Sequence, residues 1–127
     1  KLFKFIKMYN LRSSIFKPPY KKPKLRLTEL KKILKLANDL ANQNGSNFYF
    51  VYLPEYARYT TKYDDEYYFM IKDIIKELNI SFIDIHSEVF KKEKKVLKLF
   101  PFEKRGHYNE DGYKKVAETL YQFTKAN

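Results

Sequence analysis

The 127-residue sequence contains no cysteine. Disulfide bonds, thiolate metal sites and cysteine nucleophiles are therefore excluded for this chain. It also contains no apolar run near the ~20 residues that a transmembrane helix needs, and nothing at its start resembles a signal peptide. The first residue is lysine rather than methionine. We therefore expect either a processed chain or a piece of a longer protein, and the sequence leaves its compartment and oligomeric state open.

The sequence is also poor in arginine, although it is strongly basic. The formal net charge is +11, but arginine stands only at positions 12, 26, 58 and 105. Sites that read phosphates or bases favour arginine, because its planar guanidinium makes paired hydrogen bonds. The lysines are spread over predicted helix faces, and the densest run is Lys-Lys-Glu-Lys-Lys at residues 91–95. Solvated faces are therefore favoured over a nucleic-acid site, and a basic module that binds nucleic acid or an anionic membrane is the alternative function.

The first 24 residues are predicted to be separate from the domain that follows. Residues 1–12 form a basic amphipathic segment, predicted to be helical, which either packs on the rest of the fold or lies on a membrane surface. Residues 16–24 contain three prolines, which indicates an extended connector. We therefore divide the chain into an N-terminal segment with its connector, residues 1–24, and a domain over residues 25–127.

Helical and strand patterns alternate in this domain. A helix is predicted from Thr28, as its N-cap, to Gly45. A continuous apolar and aromatic run over residues 47–53 then predicts a buried strand of a parallel sheet. A second helix is predicted over residues 64–79 and a second strand over residues 80–85. This order, completed by a loop and a last helix, predicts a three-layer α/β/α architecture with a parallel sheet.

The loop before the last helix carries His107, one of only two histidines. Asn109 is predicted to be the N-cap of this helix, and Glu110 and Asp111 place carboxylates where the helix dipole is positive. Apolar residues then recur at helical spacing and predict one buried face. We therefore expect His107 to be held at the start of a helix.

The loop and helix start resemble a known C-terminal signature. The SGNH (GDSL-type) serine hydrolases carry their catalytic histidine in the pattern His-x-Asn-x-x-Gly-[Tyr/His], which is similar to the run His107-Tyr108-Asn109-Glu110-Asp111-Gly112-Tyr113. The resemblance covers roughly residues 28–127, and outside this motif it rests on the order of elements. One departure is at position 104, where Lys104 replaces the aspartate that the family usually places three residues before the histidine.

The resemblance implies a flavodoxin-like SGNH hydrolase fold of which the N-terminal half is missing. Two strands do not form a stable sheet alone, so the other strands are expected before residue 1. It also implies a serine nucleophile in a Gly-Asp-Ser-like turn and oxyanion-hole donors upstream. The serines at positions 13, 14, 46, 81 and 87 do not stand in such a context. We therefore expect this chain alone to be inactive or nearly so.

The resemblance implies that His107 is catalytic, as the general base that takes the proton of the serine hydroxyl. With Lys104 at the usual aspartate position, the ring is oriented by a backbone carbonyl, by the carboxylate of Glu103, or by no group, in a Ser–His dyad. A solvated or packing histidine is the simpler alternative. The non-catalytic SGNH-like scaffold suggested by Lys104 is a further alternative function.

Tyr56 and Arg58 follow the first predicted strand, at the sheet edge where ligands of α/β proteins bind. We predict that they border the substrate, the alternative being an exposed loop.

Asp84 either faces this edge or caps the following turn, and His86 is predicted to be a surface or cap residue. No metal site and no cofactor are predicted. The resemblance implies that the chain is the C-terminal part of an esterase or acyl transferase that acts on a small-molecule or glycan O-acyl ester.

Overall fold

The structure is a computed structural model that describes residues 26–125. It contains the helices α1 (Leu27–Gln43), α2 (Glu66–Glu77), α3 (Ile85–Glu88) and α4 (Glu110–Lys125) and the strands β1 (Tyr49–Tyr52) and β2 (Ser81–Asp84), in the order α1-β1-α2-β2-α3-α4. Four short 3₁₀ turns lie at Tyr56–Tyr59, Phe90–Lys92, Val96–Leu99 and Pro101–Glu103. The predicted segment and connector at residues 1–24, including the membrane-surface helix over residues 1–12, lie outside the described residues. Between residues 26 and 125, no helix is long and apolar enough to cross a bilayer.

The two strands pair in parallel, with Tyr49 opposite Ser81 and Tyr52 opposite Asp84. The part of the chain that the structure describes contains no further strand, and 63% of it is helical. The predicted three-layer α/β/α, flavodoxin-like architecture is therefore wrong. A layered fold needs enough adjacent strands to form a broad sheet, whereas two strands of four residues each form only a narrow ribbon.

Each face of this ribbon contacts its own hydrophobic core. Successive strand residues point to opposite faces, so that Val51 and Ile83 contact one core and Phe50 and Phe82 the other. The first core joins the ribbon to α3, α4 and the turns between them, and consists of Ile83, Ile85, Val89, Phe90, Leu99, Phe100 and Val116. The second joins it to α1 and α2, and consists of Leu34, Ile75 and Ile80.

The helix ends follow from local sequence. As predicted, Gly45 ends α1: its φ is 67°, and its N–H donates to the Asn42 carbonyl at 3.1 Å. The start of α1 differs from the prediction, because the helix begins at Leu27 without a side-chain cap from Thr28. Asn79 adopts a φ of 52° just after α2, which turns the chain into β2.

The start of α4 packs closely against the turn at Val96–Leu99. The Asn109 side-chain oxygen accepts from the Gly112 N–H at 3.0 Å, which confirms the predicted N-cap. A Cβ added to Gly112 would lie 2.7 Å from the Leu99 carbonyl oxygen and 2.9 Å from the Tyr108 Cβ. The same Leu99 carbonyl accepts from the Asn109 N–H at 2.9 Å, so it is not free to move away. Only glycine therefore permits this approach.

We predict that Gly112→Ala destabilises the protein. Alanine favours helices over glycine by ~1 kcal/mol, but the new methyl group overlaps a hydrogen-bonded backbone carbonyl. We expect a net loss of about 1–3 kcal/mol in the free energy of unfolding, measured by urea denaturation. The matched control is Gly106→Ala, because nothing lies within 4 Å of a Cβ at that position. Equal effects of the two substitutions would contradict the packing argument.

Candidate active site

Three segments meet at the carboxyl ends of the two strands. β1 and β2 end opposite each other, β2 continues directly into α3, and the His107 loop returns to the same edge. The Tyr108 hydroxyl donates to the carbonyl of Pro54, two residues after β1. The Tyr56 hydroxyl donates to the Glu103 carbonyl at 3.1 Å. These two bonds tie the loop that carries His107 to the loop that follows β1.

The backbone that follows His107 is firmly held. The Tyr108 ring packs 4.8 Å from the Phe90 centroid and 5.5 Å from that of Phe100. Burial raises the pKa of the Tyr108 hydroxyl, so that it remains a hydrogen-bond donor at neutral pH. The Asn109 side chain donates to the Lys98 carbonyl at 2.7 Å. His107 is therefore attached to a fixed backbone rather than to a loose loop.

The imidazole ring of His107 is exposed, and it has no hydrogen bond or ion pair with any described residue. The Glu103 carboxylate, one of the orienting groups considered from the sequence, does not contact it. The Glu103 carbonyl instead accepts a hydrogen bond from the Tyr56 hydroxyl. Of the alternatives considered, the Ser–His dyad is the one that requires no orienting group among residues 26–125.

Arg58 is the centre of an aromatic cage beside this edge. Its side chain is 7% exposed and pairs with the Asp65 carboxylate at 2.6 Å, as an ion pair whose angles do not make a hydrogen bond. Its guanidinium donates to the Tyr52 hydroxyl at 3.1 Å and lies 5.0 Å from the Tyr63 centroid and 4.8 Å from that of Tyr68. The guanidinium is thus occupied by the protein's own groups, and its contact with a substrate stays a prediction.

Tyr56, the other residue predicted to border the substrate, is partly buried. Its ring packs edge-on against Phe100, with centroids 5.2 Å apart. Together with its bond to Glu103, this contact gives Tyr56 a clear role in joining the two loops. A direct contact with substrate stays a prediction for this residue also.

Asp84 ends β2 and caps α3. Its carboxylate accepts from the Tyr68 hydroxyl at 2.5 Å, from the Ser87 hydroxyl at 2.7 Å and from the Ser87 N–H at 3.3 Å. Burial alone would raise the pKa of Asp84, but the bonds from Tyr68 and Ser87 outweigh it and lower that pKa. Of the two roles considered for Asp84, the structure therefore shows the cap.

His86 lies in the same network rather than on a free surface. Its Nδ1 and the Tyr59 hydroxyl are joined by a hydrogen bond of 2.8 Å. Burial and the nearby Arg58 cation lower the pKa of the imidazole, so that it is neutral at pH 7. Asp84, His86 and Ser87 do not form a catalytic triad, because Ser87 donates to Asp84 while His86 is bonded to Tyr59.

The pairing of Arg58 with Asp65 was missed by sequence reasoning. The two residues are seven positions apart and are brought together by the turn at Tyr56–Tyr59, which no local pattern predicts. The tyrosines that surround Arg58 are a weak signal that could have suggested a cage.

The amino edge of the ribbon offers little chemistry. A surface depression of about 280 Å³ lies there, and it is lined by Asn38, Asn42, Asn47, Phe48, Leu78, Asn79 and Ser81. These side chains contain no carboxylate, imidazole or amine, so the depression has no acid–base group. Nor does any group of three or more histidine and carboxylate side chains suited to a metal ion occur within residues 26–125.

Comparison of the chain with protein-family models, with curated proteins and with solved structures finds no match.

We predict that Arg58→Lys destabilises the fold. Lysine keeps the charge but loses the planar group that lies over the Tyr63 and Tyr68 rings and bonds Tyr52. The free energy of unfolding should fall by about 1–2 kcal/mol in urea denaturation. Arg105→Lys is the control in an exposed loop, with an expected change within about 0.5 kcal/mol. An Arg58→Lys variant with the same free energy of unfolding as the wild type would mean that the cage does not depend on the guanidinium.

We also predict that His86 makes stability depend on pH. Because its folded-state pKa is lowered, the unfolded chain binds the proton more readily, and stability falls as the pH drops through and below about 6.5. Unfolding free energies measured from pH 7.5 to 5 should show this slope in the wild type and a weaker slope in His86→Gln. His107→Gln, which removes the other histidine, should retain it. An unchanged slope in His86→Gln would refute the assignment.

Proposed function

We propose that this chain supplies the general base of an SGNH-type serine esterase or O-acyl transferase, with His107 as that base. The nucleophilic serine would lie outside the described residues. The proposal is carried by one observation: an exposed imidazole without a polar partner among residues 26–125 stands on a fixed backbone at the carboxyl edge of the strands.

The chemistry that this imidazole supports is proton transfer. A serine hydroxyl is a weak nucleophile until a neighbouring base removes its proton. The ring nitrogen of His107 would accept that proton as the serine oxygen bonds to the acyl carbon of the ester. The imidazolium would then return the proton to the alcohol oxygen as the acyl carbon–oxygen bond breaks. Water, or a second alcohol in an acyl transferase, would repeat the two steps to release the acyl group.

The proposed substrate class is a small-molecule or glycan O-acyl ester. This class follows from the resemblance of the His107 motif, and no cofactor enters the scheme. In this proposal, Tyr56 and Arg58 act mainly by holding the segments at the carboxyl edge of the strands in place. Tyr56 joins the two loops, and the Arg58 guanidinium contacts Tyr63, just before α2, and Tyr68, within α2.

The basic alternative finds support in the first 25 residues only. They contain eight of the 26 basic side chains and no acidic one, whereas residues 26–125 contain 18 basic and 15 acidic side chains. The near balance of the described residues gives little reason to propose a nucleic-acid surface on them. The concentration of positive charge supports, as the second candidate function, the binding of nucleic acid or of an anionic membrane surface by residues 1–25 alone.

The test of the hydrolase proposal uses the full-length protein. A fluorophosphonate probe should label one serine, and p-nitrophenyl acetate should be hydrolysed. His107→Gln should lower turnover by about 10²–10⁴-fold and slow the labelling, while leaving the thermal unfolding temperature unchanged, because the ring has no partner in the described structure. Lys104→Gln, a change in the same exposed loop, is the matched control and should retain turnover.

Two results would overturn the proposal. If the probe labels no serine, the protein is a non-catalytic scaffold of the kind that Lys104 suggests. If a serine is labelled but His107→Gln retains full turnover, the general base is another residue.

A further inference from the structure

Phe102 combines an unusual backbone conformation with an unusual exposure. Its φ and ψ are 53° and 24°, and the next residue, Glu103, has a φ of 55°. Both residues lie in the left-handed region that side chains other than those of glycine, asparagine and aspartate rarely adopt. Phe102 is also 92% exposed, the highest value among the exposed large hydrophobic residues of the described chain. The protein therefore keeps an aromatic ring in water on a strained backbone.

The segment around Phe102 is anchored on both sides. Phe100 is 1% exposed, and its ring packs against those of Tyr56 and Tyr108, with centroids 5.2 and 5.5 Å away. On the other side, the Glu103 carbonyl accepts from the Tyr56 hydroxyl at 3.1 Å. The outward position of the Phe102 ring is thus imposed by the surrounding structure and is not the consequence of a loose loop.

A second exposed apolar residue lies at the same edge. Leu53 is the first residue after β1 and is 53% exposed. The next residue, Pro54, accepts the hydrogen bond from Tyr108, which is the neighbour of His107. The two loops that carry Leu53 and Phe102 are therefore joined next to the proposed base in the chain, and each carries an exposed apolar side chain.

The proposed chemistry indicates which part of an ester covers this surface. The base that activates the nucleophile also returns its proton to the leaving alcohol, so the alcohol portion must approach the His107 loop. Phe102 is in that loop, five residues before His107. An apolar group on the alcohol would remove the exposed ring from water and so compensate for its exposure.

We infer that Phe102 is a specificity-determining residue that contacts the apolar part of the alcohol portion of the ester, with Leu53 on the same side. The inference rests on the proposed function and deepens it, because it names the substrate class: esters whose alcohol portion carries an apolar group larger than methyl, such as a butyl chain or a benzyl ring.

The test compares acetate esters that differ only in the alcohol: methyl, butyl and benzyl acetate. In the full-length protein, kcat/KM should rise along this series. Phe102→Ala should lower the benzyl-to-methyl ratio of kcat/KM by about 10-fold, because benzyl acetate loses its contact with the ring and methyl acetate has no larger group to lose one. The control is Tyr121→Ala, which removes an exposed aromatic ring from α4 and should leave the ratio unchanged.

A second variant distinguishes a functional ring from a structural one. Asparagine tolerates the left-handed conformation better than phenylalanine or alanine does. Phe102→Asn should therefore match or exceed the melting temperature of the wild type and exceed that of Phe102→Ala, while lowering the benzyl-to-methyl ratio as much as Phe102→Ala does. A melting temperature of Phe102→Asn below that of Phe102→Ala would show that the conformation is not a strain on the fold, and would overturn the inference.

The remaining outcomes separate this inference from the proposed function. If fluorophosphonate labelling and the His107→Gln effect are as expected but the alcohol series is unchanged in Phe102→Ala, this inference alone fails. If Phe102→Ala changes the preference among p-nitrophenyl esters of acetate, butyrate and octanoate instead, the ring contacts the acyl portion and the inference also fails. If the wild type labels no serine, the proposed function fails, and this inference fails with it.

Discussion

Burial of the Phe100 ring holds together the segments that form the carboxyl edge of the strands. The ring is 1% exposed and packs against Tyr56 and Tyr59 after β1, Phe90 after α3, and Tyr108 before α4, with centroids 5.2 to 6.2 Å apart. Burying a side chain of this size contributes about 2–3 kcal/mol, and each ring pair adds roughly 0.5–1.5 kcal/mol. A two-stranded ribbon cannot fix three loops by itself. The aromatic contacts do so, and the position of the His107 backbone depends on them.

A second, polar layer lies beside these rings. Its charged groups have partners within the protein, whereas the His107 ring has none among the described residues. Arg58 is paired with Asp65, and Asp84 accepts three hydrogen bonds from Tyr68 and Ser87. Tyr68 connects the two halves, because its ring lies under the Arg58 guanidinium and its hydroxyl bonds Asp84. Each charge in this layer is compensated within the protein, as buried charges must be. His107 stands outside the network, with its ring unused by the described structure.

Local sequence predicted most of the elements, because their signals are local. The periodicity of the helices α1, α2 and α4, the two apolar runs and the caps at Gly45 and Asn109 each depend on a few neighbouring residues. The number of strands was not predictable in this way. The expectation of a broad sheet took the order of the elements as evidence for layers, whereas the described chain forms one parallel pair within a mainly helical structure. Strand order along a chain carries no information on how many strands share a sheet.

The candidate site was predictable to a similar degree. Sequence reasoning placed His107 at the start of the last helix and Asp84 at the end of a strand, since both follow from the pattern of elements. It did not foresee that Arg58 would be enclosed by aromatic rings, because its partner Asp65 is reached through a 3₁₀ turn. Nor did it foresee that His86 would bond Tyr59, 27 positions away. Contacts of this kind depend on how the loops fold back on each other.

The structure explains the asparagine and the glycine of the His-x-Asn-x-x-Gly motif, and the tyrosine between the histidine and the asparagine, without any reference to catalysis. Asn109 caps α4 and bonds the Lys98 carbonyl, Gly112 lets the helix approach Leu99, and Tyr108 joins the loop to Pro54. A capped helix packed against a loop could therefore select these residues in a protein of any function. The imidazole of His107 is exposed and makes no hydrogen bond, ion pair or ring contact with the described residues, so such contacts do not account for it. The proposed general base therefore rests on the side chain at position 107 rather than on the motif that surrounds it.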